Sequence, residues 1–201
     1  MEIYAAKENK LIVFVYEMMG TAMLVYAINM QYMETFGVFG IAFMLFAWLL
    51  IGGPITGAHF NPAVTVGVYI SNKHWQEDVN MFLITLIAEF TGGILGIMLT
   101  WGSLYNETAL DPIGISKAGV PLSEVNVLMP NANSNKAGTF QVEMICTFMF
   151  VMINLIVKTR KTSPTLDGFL GCFAVALTLL AMIIVSAMHS GGCLNPAVGL
   201  A

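Results

Sequence analysis

Charge is the first thing this chain lacks. Only 10% of its 201 residues are charged, against 57% hydrophobic, and mean hydropathy is +0.78. A soluble domain of this size carries about a quarter charged residues, so a soluble globular class is excluded. The net charge of -4 is small and argues against nucleic acid or any other polyanionic partner. Cysteine is also scarce. Cys146, Cys172 and Cys193 are odd in number and scattered, which fits neither a disulfide framework nor a metal site. No Ser/His/acid set, metal-ligand cluster or phosphate loop is present, which speaks against an enzyme and a bound cofactor.

Long apolar runs are what the chain has. Five are long enough to span a bilayer, at about 11–30, 35–53, 81–101, 139–157 and 168–188. The first is too long for a cleavable signal peptide. Lysine and arginine set the orientation. With the N-terminus inside, the inner segments carry Lys7, Lys10, Lys73, Lys158, Arg160 and Lys161, and the outer ones only Lys117 and Lys136. The outer segment 102–138 then holds Asn106-Glu107-Thr108, a glycosylation sequon that suits an outward face.

One tetrapeptide occurs twice: Asn61-Pro62-Ala63-Val64 and Asn195-Pro196-Ala197-Val198, each with a Gly four residues before the Asn, at Gly57 and Gly191. Asn-Pro is a helix start. The Asn side chain accepts from free N–H groups as an N-cap, and Pro is tolerated at the first helical position. The polar cluster at 72–78 closes the first such helix at Ser71. A helix of that length rises roughly 16 Å, half of a hydrocarbon core near 30 Å. It reads as a re-entrant half-helix, tolerated at depth only when it is buried in protein or lines a wet cavity.

The repetition extends further. Glu17-Met18-Met19-Gly20-Thr21 in the first run matches Glu143-Met144-Ile145-Cys146-Thr147 in the fourth. Each half has the order span, span, half-helix, and the first half adds a third span. An odd number of spans turns the second copy upside down. Inverted repeats place their site near the midplane, where broken helices meet. The chain reads as one transmembrane domain over 1–201, with repeat one at about 11–101 and an incomplete repeat two at about 139–201.

On these motifs the sequence resembles the major intrinsic protein family, the aquaporins and aquaglyceroporins. The likeness covers nearly the whole chain and includes Gly57-Ala58-His59-Phe60-Asn61-Pro62-Ala63-Val64-Thr65 and Gly191-Gly192-Cys193-Leu194-Asn195-Pro196-Ala197. The resemblance implies an all-α membrane fold of six spans and two half-helices meeting at the bilayer centre. It also implies a homotetramer with one pore per subunit, in the plasma or vacuolar membrane. Three departures stand out. Val198 occupies a position where the family usually has Arg. Glu89 stands where Gln is common. Only six residues follow Asn195, so the sixth span is absent and the chain is expected to be a fragment or truncated.

The Asn residues are the centre of the expected site. As N-caps, Asn61 and Asn195 would keep their NH2 groups free to donate into a lumen. The half-helix N-termini add about half a positive charge each, which excludes cations and protons. The alternative is that both are only structural caps. By resemblance, the carbonyls of Gly57, Ala58, His59, Gly191, Gly192 and Cys193 form the ladder that passes solutes. The resemblance also implies that Glu17 and Glu143 hold the re-entrant loops, the alternative being a proton relay; the role of Glu89 is open. His59 packs against its loop or senses pH, and His189 is undecided. Gly92-x-x-x-Gly96 and Gly20 allow close packing. The resemblance places the selectivity filter at Phe43, Ile183, Gly192 and Val198, with Ile41 replacing Phe43 in the register counted back from Asn61. The expected function is a passive channel for water and small neutral solutes such as glycerol, urea, ammonia or hydrogen peroxide. A secondary transporter and a non-conducting junctional protein of the same fold are the competing readings.

Overall fold

The computed structural model describes residues 9–30, 37–72, 79–105, 130 and 134–201. These form seven helices and, among the described residues, no strand. In order they are α1 (Lys10–Met30), α2 (Gly37–Thr56), α3 (Pro62–Ser71), α4 (Val79–Tyr105), α5 (Lys136–Lys158), α6 (Gly168–Ser190) and α7 (Pro196–Leu200). Lys7, Lys73, Lys117, the sequon at Asn106 and the cluster at 73–78 lie outside the described residues.

Five helices are long and apolar enough to cross a membrane, and each falls on a run expected from sequence. Their outer faces are apolar: Phe43, Ile87, Phe140, Phe148 and Val185 are all exposed, as a lipid-facing surface requires. Several hydroxyls inside the spans are satisfied within their own helix. Thr100 donates to the Gly96 carbonyl at 2.9 Å and Thr178 to that of Ala174 at 2.8 Å.

Packing follows the small residues. α4 lies against α1, where a Cβ on Gly92 would strike the Met18 carbonyl and one on Gly96 would come within 2.6 Å of the Ala22 carbonyl. Only glycine lets the two backbones approach this closely. α2 packs on α1 and α6, and α5 on α6. Between them a core of Leu24, Ile41, Leu45, Leu49, Phe150, Val175, Leu179 and Ile183 surrounds Phe60, Val64 and Leu194. The short helices α3 and α7 therefore end inside the bundle.

Candidate functional site

The site is built from two loops of matching conformation. α2 stops at Thr56 and α6 at Ser190. Gly57 and Gly191 then turn the chain with φ of 95° and 91°, a region that favours glycine. Ala58 (50°) and Phe60 (51°) in the first loop, and Gly192 (72°) and Leu194 (53°) in the second, are also left-handed. Non-glycine residues hold such angles only where the surroundings over-determine them.

A carboxylate supplies that restraint in each loop. Glu17 accepts from the His59 N–H at 3.1 Å and the Phe60 N–H at 2.8 Å, and from the Thr56 hydroxyl. Glu143 accepts from the Cys193 N–H at 3.0 Å and the Leu194 N–H at 2.9 Å, and from the Ser190 hydroxyl. The two hydroxyls also take the next N–H along, Thr56 from Ala58 at 3.0 Å and Ser190 from Gly192 at 3.3 Å. Every non-helical N–H before each Asn is thereby paired except that of the turn glycine, which bonds back into its helix. The sequence reading missed Thr56 and Ser190. Their signal was a hydroxyl one residue before the Gly in both copies.

Each loop ends on its Asn. The Asn61 side chain accepts from the Ala63 N–H at 2.8 Å and that of Asn195 from the Ala197 N–H at 3.0 Å, with Pro62 and Pro196 at the first helical positions. Both are N-caps, as the tetrapeptides predict. The amide donors cross over. Asn61 Nδ2 donates to the Leu194 carbonyl and Asn195 Nδ2 to the Phe60 carbonyl, both at 2.9 Å. This corrects the expectation that both NH2 groups are free. Each has one N–H committed to the other loop, and one remains.

Around this centre the loops differ. Only the first has a second carboxylate. Glu89, buried in α4, accepts from the Asn61 N–H at 3.0 Å and the Thr65 hydroxyl at 2.7 Å, and its other oxygen is buried without a partner. Thr65 is also 2.9 Å from His59 Nδ1. Because the Thr65 proton goes to Glu89, its oxygen accepts from Nδ1–H. His59 therefore packs against its own half-helix. His189 has an exposed side chain, and its carbonyl accepts from Ser134 at 2.7 Å.

The proposed filter positions are partly brought together. A Cβ on Gly192 would sit 3.4 Å from the Ile183 carbonyl, so α6 and the second loop meet there. Val198 is buried in α7. Phe43 is misplaced by the sequence reading. It is 60% exposed on the outer face of α2, whereas Ile41 is 8% exposed in the same buried cluster as Ile183. Two residues turn a helix by about 200°, so the register counted back from Asn61 is the one that faces inward. The Cys193 thiol is directed at the Asn195 carbonyl, 3.1 Å away, and a Cβ on Gly199 would lie 3.0 Å from its sulfur. It turns along its own loop.

The chain matches the Major intrinsic protein family over residues 9–201. It is 30% identical over 159 residues to the Glycerol uptake facilitator protein-like 6 of Lactiplantibacillus plantarum, covering 79% of this chain and 64% of that one. To the Probable aquaporin NIP4-2 of Arabidopsis thaliana it is 26% identical over 194 residues, 92% of this chain and 61% of that one. To human Aquaporin-5 it is 29% identical over 160 residues, 79% and 52% respectively. The chain thus spans about half to two thirds of the length of these relatives. Its fold is similar to that of the aquaglyceroporin from Plasmodium falciparum, with a TM-score of 0.77 at 20% identity over 96% of this chain and 79% of that one. With five apolar spans, two capped half-helices joined through their Asn residues and a family match over nearly its whole length, the chain belongs to the Major intrinsic protein family of multi-pass membrane channels, which are not enzymes.

Proposed function

We propose that this chain forms a passive channel for water and small neutral solutes, working as a tetramer with its N-terminus inside. The carrying observation is the reciprocal pair of bonds from Asn61 to the Leu194 carbonyl and from Asn195 to the Phe60 carbonyl. They hold two half-helix N-termini against each other inside an apolar bundle, where their dipoles act on anything that passes. Each Asn keeps one N–H for a passing oxygen. A water that accepts there is poorly placed to donate onward along the file.

On this reading the two loops belong to inverted repeats at about 11–101 and 139–201. The carbonyls of Gly57, Ala58, His59, Gly191, Gly192 and Cys193 supply the ladder; the loop N–H groups that follow each turn glycine are taken by Glu17, Glu143 and the two hydroxyls and do not compete for them. The filter is Ile41, Ile183, Gly192 and Val198. It offers no fixed charge and no side-chain donor, which suits glycerol, urea, ammonia or hydrogen peroxide besides water. Among the relatives, a glycerol uptake facilitator-like protein and an aquaporin both fit that range.

Stopped-flow light scattering on proteoliposomes tests it. Osmotic shrinkage faster than that of protein-free vesicles, with re-swelling in glycerol or urea and no dependence on an ion gradient, supports the reading. Shrinkage at the protein-free rate rejects it. Flux that requires a sodium or proton gradient replaces it with a secondary transporter.

A further inference from the structure

The filter is apolar, but a cation stands at the first loop. Lys158, in the last turn of α5, donates from Nζ to the Ala58 carbonyl at 3.0 Å. That carbonyl is one of the three in the first loop assigned to the solute ladder. Beside it lies a cavity of about 350 Å³ lined by Lys158, Gly57, Leu49, Gly53, Cys172 and Val175 among others. The other described side chains in its wall are apolar apart from the Cys172 thiol.

Among the described residues, the carboxylates that act electrostatically on Lys158 are Glu17 and Glu89. Neither lines the cavity, and Glu17 spends both oxygens on loop donors, Glu89 one. One turn earlier on the same side of α5, Asn154 is buried with its Oδ1 unpartnered. The Lys158 ammonium is thus the charge that both touches the first loop and borders the cavity. An ammonium with three donors and, among the described residues, one hydrogen-bond acceptor has capacity left for water or a solute oxygen.

We propose that Lys158 is a specificity-determining residue of the inner mouth. It is a tethered cation at the Ala58 rung that repels permeating cations and restricts the passage, the part that an arginine at the Val198 position would play at the outer mouth. This rests on the channel reading. Repulsion of like charge excludes cations without hindering neutral solutes. The same ammonium competes with solutes for the Ala58 carbonyl.

The test uses the full chain in proteoliposomes, normalised to the amount of protein incorporated, with water flux, glycerol flux and valinomycin-free potassium flux measured side by side. Lys158→Met keeps the length and removes the charge. It is expected to raise potassium flux roughly tenfold, the change that about 1.4 kcal/mol of lost repulsion gives, and to raise glycerol flux. Lys158→Arg restores charge and is expected to exclude potassium as the native chain does. Potassium flux in Lys158→Met equal to the native value overturns the inference while native water flux leaves the channel reading standing. Equal leakage in Lys158→Arg and Lys158→Met also overturns it, since charge is then not the cause. A native chain that carries no water rejects the channel reading and this inference with it.

Discussion

The two loops that meet at the centre share one backbone and differ in what surrounds it. Both run hydroxyl, glycine, three non-helical residues, Asn, Pro, and both hang from one glutamate. Glu17, however, is 0% exposed, whereas Glu143 is only half-buried. α1 packs on both α4 and α2, whereas α5 packs on α6 and the short α3. The first loop is further held by Glu89 and touched by Lys158, and neither has a described counterpart in the second. The shared bonds are those that shape the meeting point of the half-helices. The unshared ones bear on stability and on the chemistry of the inner mouth.

The sharpest way to break this comparison is to remove each glutamate. Glu17→Ala strands the Thr56, His59 and Phe60 donors in a dry interior, at roughly 1–3 kcal/mol each. Glu143→Ala strands the matching donors, of which Ser190 and Leu194 are buried, but removes a glutamate that is itself only half-buried. Glu17→Ala is expected to lower the thermal midpoint in detergent far more than Glu143→Ala, and a smaller shift for Glu17→Ala would show that burial does not separate the loops.

A second comparison exchanges packing between the repeats. Gly20 sits directly beneath the Phe60 ring, so a Cβ there would overlap it. The matching positions in the other repeat are Cys146 and Leu194, both buried in the core. Gly20→Cys should destabilise by about 1–3 kcal/mol through overpacking, and adding Phe60→Leu should recover much of that. A double variant no better than Gly20→Cys alone would mean that the loops are not packed interchangeably.

Charge at the filter comes next. Val198→Arg would add a fixed cation and donors beside Gly192 and Ile183. Glycerol flux should fall more than water flux; an equal fall in both would count against Val198 as a filter residue. The smallest effect is expected at Glu89. Glu89→Gln keeps an oxygen for Asn61 and Thr65 and removes a buried group that can ionise, so stability should change by less than about 1 kcal/mol or rise. A large loss on thermal melting would mean that the ionised carboxylate is needed.

Much of this was legible in the sequence because it depends on local chemistry. Asn-Pro after glycine fixes a capped helix start, and both starts are where the tetrapeptides put them, at Pro62 and Pro196. The five spans follow from apolar length, and Glu17 and Glu143 from their repeated position. What was not legible depends on register or on distant contacts. Phe43 and Ile41 are equally apolar in the sequence, and only the facing of α2 separates them. Lys158 reads as an inner flanking charge, and its contact with Ala58 joins residues 100 apart. Nothing local announces that Glu89 caps the Asn61 backbone.

The most direct measurement is the water permeability of proteoliposomes carrying Asn61→Ala, Asn195→Ala or the native chain, at equal incorporation. If the two caps form one conducting centre, each single replacement removes a cap and a cross-loop bond together. Both are then expected to fall toward the protein-free rate, with the double variant little worse than either. Native permeability retained in either single variant, or full additivity between them, would contradict a shared centre at Asn61 and Asn195.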